Sequence, residues 1–117
     1  MQDLIKNEKF LIIKSIKIYI LSLEKLLINF PKKDIFTRNM VYQDALDLLE
    51  LVYKANYESR KEIKQNYQIG ALAKVNRIDF YLERAYRFGY ISEKQCINVT
   101  KRLEELNKML YRWCNGG

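Results

Sequence analysis

The residues best suited to chemistry cluster between positions 74 and 88: Lys74, Arg77, Tyr81, Arg84, Arg87 and Phe88. Turning about 100° per residue, a helix places Lys74, Arg77, Tyr81, Arg84 and Phe88 along one flank of its apolar stripe, with Arg87 further round. Guanidinium groups grip phosphate with a two-pronged fork and also stack, while tyrosine and phenylalanine stack on unpaired bases. A flank that mixes the two suits RNA or single-stranded DNA, held through phosphate more than through base edges. The same spacing fits a plainer role, in which Tyr81 and Phe88 edge the core and the basic side chains snorkel beside them.

Catalytic chemistry finds little support. Histidine is absent, which removes the commonest general base and the commonest metal ligand. A Ser or Cys nucleophile would need a Lys, Asp or Glu base, and no such pairing is recognisable. The di-metal sites of helix bundles need Glu-x-x-His on two helices, so that chemistry is excluded. Asp44, Asp47, Glu50 and Glu58 read as the solvated face of a helix beside Lys54 and Lys61. Cys96 and Cys114 are too few and too far apart for a zinc framework or a disulfide scaffold. Cys96 falls on an apolar stripe, where a free thiol packs as a small hydrophobe. The expectation is a protein that is not an enzyme, with no catalytic residues, no metal and no cofactor.

Charge points outward instead. Lys and Arg number 21 against 14 Asp and Glu, a formal charge of +7, which favours a polyanionic partner. Both signs are interspersed, and no basic tail stands apart.

These side chains need helices to position them. One proline and four glycines in 117 residues leave almost none of the punctuation that sheets and long loops require. A first helix is predicted from about Asn7 to Asn29, with Ile13, Ile16, Ile20, Leu23 and Leu27 as its core stripe. Leu11, Ile18, Leu21 and Ile28 fall on its far side beside Lys14 and Lys25, a second apolar strip suited to an oligomer interface. Pro31 ends this helix, and Asp34 or Thr37 caps the next. That helix carries Val41, Ala45, Leu48, Val52 and Ala55 and is expected to end near Lys64. A third, with Ala71, Val75, Ile78, Leu82 and Ala85, closes at Gly89. Ser92 and Gln95 form a capping box for a fourth, striped by Cys96, Val99, Leu103, Leu106, Leu110 and Trp113. Asn115-Gly116-Gly117 reads as a frayed tail. The whole of 1–117 is thus expected to be one all-α domain, an up-down-up-down four-helix bundle. Lysines interrupt every long apolar run, so neither a signal peptide nor a membrane span is expected, and the location is cytoplasmic.

Several stretches in order resemble a known family. They are Phe30-Pro31-Lys32-Lys33 after the first helix, Ala45-Leu46-Asp47-Leu48-Leu49-Glu50-Leu51-Val52 with Ala55-Asn56 in the second, Arg77 and Arg84 in the third, and Met109-Leu110-Tyr111-Arg112-Trp113 at the end. Together they resemble the accessory variability determinant proteins of diversity-generating retroelements. The related four-helix-bundle proteins encoded within ribosomal RNA intervening sequences share the Phe-Pro-Lys element. They usually carry an Asn-Ile-Ala-Glu-Gly-like segment where this chain has Val52-Tyr53-Lys54-Ala55-Asn56. Ile35-Phe36-Thr37-Arg38 departs from the retroelement family's usual basic-aromatic-Thr-Leu order. The resemblance implies a basic homopentamer that binds a reverse transcriptase and template RNA or cDNA. The alternatives are a nucleic-acid-binding bundle without a polymerase partner, as in the intervening-sequence proteins, and a purely structural oligomer.

Overall fold

Each of the four stripes becomes a helix. The computed structural model describes residues 8–116, with side chains from Leu11 onward, so the expected start at Asn7 and the terminal Gly117 lie outside the described residues. The helices are α1 (Glu8–Leu27), α2 (Ile35–Tyr57), α3 (Lys61–Arg87) and α4 (Glu93–Gly116), with a 3-10 turn at Lys32–Asp34 before α2. Each packs on the next and α4 returns to α1, which is the ring of an up-down-up-down bundle.

All the expected aliphatic stripe residues and Trp113 are buried, and Ile12 and Tyr19 join them from α1. Burying each large apolar side chain contributes about 1.5 to 3 kcal/mol before entropy is subtracted. A buried phenol needs a partner, and the Tyr19 hydroxyl donates to the Val99 carbonyl at 3.1 Å, tying α1 to α4. Burial, with Asp79 nearby, pushes this phenol well above its ordinary pKa. Cys96 is half-buried against the core, where burial first and then Asp79 raise its thiol pKa.

The helix ends follow local chemistry. The Asp34 carboxylate caps α2, accepting from the Thr37 backbone N at 3.2 Å and the Thr37 hydroxyl at 2.8 Å. After α3, Gly89 takes φ 78°, a left-handed turn that favours glycine. There Tyr90 N donates to the Ala85 carbonyl and Gly89 N to the Tyr86 carbonyl, closing a Schellman cap. The α4 capping box is formed in both directions: Gln95 N donates to Ser92 Oγ at 3.1 Å, and Ser92 N to Gln95 Oε1 at 2.8 Å.

Two expected boundaries are corrected. Helix α2 ends at Tyr57, not near Lys64, and α3 is already under way at Lys61. The break is a tight turn without proline or glycine, in which the Glu58 carboxylate accepts from both the backbone and the guanidinium of Arg60. Those bonds hold the Glu58 carboxyl down at about 2. At the other end, α4 continues through Asn115 and Gly116, so these residues are helical and not a frayed tail. Among the described residues no helix is long and apolar enough to cross a membrane.

Candidate nucleic-acid interface and oligomer face

The basic flank of α3 faces α2, and its cations are met there by acids. Lys74, only 23% exposed, lies 3.4 Å from Asp44 Oδ1 and 3.3 Å from Asp47 Oδ2. Arg77 Nε stands 3.3 Å from Asp44 Oδ2, an ion pair by distance, although that oxygen has no partner along a hydrogen-bond direction. Arg84 pairs with Asp34 at 3.8 Å and donates to the buried Thr37 hydroxyl. Arg87 pairs with Glu83 one turn back on its own helix at 3.1 Å. Tyr81 is half-buried against the core.

This arrangement corrects the reading of Asp44 as a solvated residue. Asp44 is 1% exposed and faces α3, and a buried carboxylate survives only with charge compensation beside it. The flank of Lys74 and Arg77 is therefore first a counter-charge for Asp44, close to the plainer role the spacing allowed. Glu50 does behave as expected, pairing with Lys54 at 3.6 Å on the outer side of α2. Asp47 is held below its ordinary pKa chiefly by the Gln43 amide, and next by Lys74.

At the end of this seam the turns between helices meet. The Tyr90 hydroxyl donates to Asp34 Oδ2 at 2.8 Å, and the Phe30 ring packs 5.6 Å from that of Tyr90. Arg84 lies over the Phe88 ring, 4.7 Å from its centroid, a stacked cation on an aromatic face. Hydrogen bonds from Thr37 and then Tyr90 hold the Asp34 carboxyl below the usual carboxylate range, and the same bond raises the Tyr90 phenol. Around this fixed centre Lys32, Lys33, Phe36 and Arg38 are exposed.

The opposite flank of α3, toward α4, is acidic. Asp79 shares an open depression with Asn76, Thr100, Glu104 and Asn107. Its carboxyl is raised by burial first and by Glu83 and Glu104 next.

The far-side strip of α1 stands where the helical wheel puts it. Leu11 is 39%, Ile18 53%, Leu21 61% and Ile28 76% exposed. A second row, missed in the sequence, continues it on α2: Tyr42, Leu46, Leu49, Tyr53 and Tyr57. Their spacing of four, three, four and four is the helical repeat that would have revealed it. The rows adjoin across the groove, where the Tyr42 hydroxyl reaches Glu24 at 3.3 Å and Lys17 lies 5.7 Å from the centre of the Tyr53 ring. Leu46, Leu49, Tyr53 and Tyr57 line an open hollow of about 540 Å³ with Tyr67 of α3. So broad an apolar surface is uncommon on an isolated monomer.

Comparison with known proteins bears on the fold. The chain is similar to a solved structure from Bacteroides thetaiotaomicron VPI-5482, described as a protein of unknown function from the S23 ribosomal protein family. The TM-score is 0.84 at 14% identity, over 93% of this chain and 99% of the other. At that identity the likeness speaks for the four-helix fold alone. No protein-family model and no curated protein matches the chain.

Proposed function

We propose that this chain is a non-enzymatic accessory protein that assembles with copies of itself into a basic oligomer. In this reading it holds template RNA or cDNA and a reverse transcriptase together, in the manner of the accessory proteins of diversity-generating retroelements. The observation that carries the proposal is the outer surface of α1 and α2, where exposed Leu11, Ile18, Leu21, Ile28 and Tyr57 lie among Lys14, Lys17 and Lys25. An apolar face covered by a second copy would leave a larger particle whose charge is the multiple of each chain's +7, a strong attractor of polyanions. Val52-Tyr53-Lys54-Ala55-Asn56, which lacks the Asn-Ile-Ala-Glu-Gly-like segment of the intervening-sequence proteins, supports the retroelement branch, and the pentamer is what that resemblance implies.

A second reading has its own support. The structural neighbour is placed in a ribosomal protein family, which favours an RNA-associated bundle with no polymerase partner. A gene neighbourhood with a reverse transcriptase and a template repeat separates the two.

The direct test is affinity capture of the tagged chain from its native host, with sequencing of bound RNA and mass spectrometry of bound protein. The proposal expects a reverse transcriptase and one enriched RNA. Recovery of ribosomal RNA without the polymerase selects the second reading. Self-assembly is tested by light scattering on Ile18→Lys/Leu21→Lys, which is expected to give smaller particles of unchanged helicity. An unchanged mass removes the α1 strip from the interface.

A further inference from the structure

Of the cations singled out by spacing, Lys74, Arg77 and Arg84 meet acids in the seam between α2 and α3, and Arg87 pairs with Glu83 on its own helix. At the end of the bundle, Lys32, Lys33 and Arg38 are exposed and make no ion pair among the described residues. The acid nearest in sequence, Asp34, is committed to Thr37, Tyr90 and Arg84. Two aromatic rings stand out at the same end, Phe36 at 61% and Phe88 at 54% exposure. Phe36 is on the first turn of α2 and Phe88 on the cap of α3. The Arg84 contacts with Asp34 and Thr37 bring these two helix ends together.

We propose that this end is a binding site for single-stranded nucleic acid, with phosphates on Lys32 and Lys33 and bases stacked on Phe36 and Phe88. The proposal rests on the nucleic-acid reading above and names where that contact is made. Flat exposed rings at the same end as unpaired cations match a flexible strand with accessible bases. Arg84 stacks on Phe88 and is anchored to Asp34, so the ring is held before the strand arrives. The Phe88 ring also packs 5.7 Å from that of Tyr90, which in turn packs on Phe30. A preformed platform reduces the entropy lost on binding. The α1–α2 face, by contrast, offers more aliphatic surface and suits a second copy.

The test is fluorescence anisotropy of the full chain with labelled oligo(U) RNA and oligo(dT) DNA of about 16 nucleotides, the upper end of common single-strand site sizes. Lys32→Gln/Lys33→Gln is expected to weaken binding roughly tenfold and to make the slope of log affinity against log salt shallower by about one to two units. Phe36→Ala and Phe88→Ala are expected to weaken it roughly tenfold each at unchanged salt slope, because stacking releases no counterions. If Phe88→Ala loosens the turn after α3, Phe36→Ala alone carries the stacking test. Lys101→Gln/Lys108→Gln removes the same charge from the outer side of α4 and is expected to have a smaller effect. Equal losses from the two lysine pairs, or wild-type affinity in Phe36→Ala, overturn the site while the nucleic-acid reading survives. A wild-type chain that binds neither oligonucleotide at low salt overturns both.

Discussion

Along its α2 side, helix α3 sets Lys74, Arg77 and Arg84 against Asp44, Asp47 and Asp34, whereas along its α4 side Asp79 is close to Glu83 and Glu104. On the first seam a buried acid is compensated from two positions. On the second, Asp79 holds its proton more tightly, because of burial first and the nearby charges of Glu83 and Glu104 next. A row of cations at helical spacing does not announce which of these situations it serves. The deciding residue is on the neighbouring helix, about thirty positions away in sequence.

The comparison breaks most visibly if the compensation of Asp44 is removed. Lys74→Ala/Arg77→Ala takes both cations away from a carboxylate that is 1% exposed in the wild-type fold, which costs roughly 3 to 5 kcal/mol in urea denaturation. Adding Asp44→Ala to that pair should recover much of the loss, as the coupling in a charge network requires. Arg87→Ala, which removes a surface pair only, should stay within about 0.5 kcal/mol. A loss below about 1 kcal/mol in the double variant means that Asp44 has another partner, and that Lys74 and Arg77 are free for a ligand after all.

A smaller effect is expected where the seam meets the bundle end. Asp34 has a lowered pKa in the fold, so its contribution is present above its unfolded value of about 3.9 and is lost as pH falls through the folded one. Tyr90 has a raised pKa, so its contribution is present below about 10 and is lost as pH rises through its folded value. Tyr90→Phe removes their shared bond, and both limbs of the stability profile should flatten. NMR titration should place the Asp34 carboxyl closer to the ordinary carboxylate range than in the wild type. An unmoved Asp34 in that variant means that Thr37 and Arg84 alone set its pKa.

Much of the fold was legible because it rests on local rules. Period and capping placed the four stripes, the Gly89 stop and the Ser92–Gln95 box, and narrowed the α2 cap to Asp34 or Thr37, each readable within a few residues. The α2–α3 boundary was not legible, since the Glu58–Arg60 turn is made by a side-chain bond and not by a residue type that forbids helix. The basic flank of α3 was legible as a row of cations, but not the acids that it faces. A helical wheel gives the angle of Arg77 about its own axis, and says nothing of the buried aspartate across the seam. The position of the apolar strip on the outer side of α1 was legible because the period of the core stripe fixes where the far side lies. Its extension on α2 needed only the same count applied to Tyr42, Leu46, Leu49, Tyr53 and Tyr57.

The smallest effect tests the acidic seam, and its sign is opposite to that of its neighbour. A carboxyl whose folded pKa is raised contributes stability below its unfolded value of about 3.9 and loses that contribution as pH rises through the folded one. At pH 7 the ionised Asp79 therefore works against the fold, and Asp79→Asn should raise the melting temperature. The residue as a whole is exposed although its carboxyl is partly shielded, so solvent screens both the burial penalty and the repulsion, and the gain should stay within about 0.5 kcal/mol. Well below the unfolded value of about 3.9, wild-type Asp79 is protonated whether folded or unfolded, and the difference between the two proteins should vanish. Asp34 and Asp47 across the helix keep their stabilising charge down to about 3.9 and lose it only as pH falls further toward their lowered folded values, so the difference between the two proteins narrows before both weaken. If Asp79→Asn is neutral at pH 7, or destabilises by an amount independent of pH, Asp79 is compensated like Asp44. The contrast between the two sides of α3 would then be one of burial and not of charge.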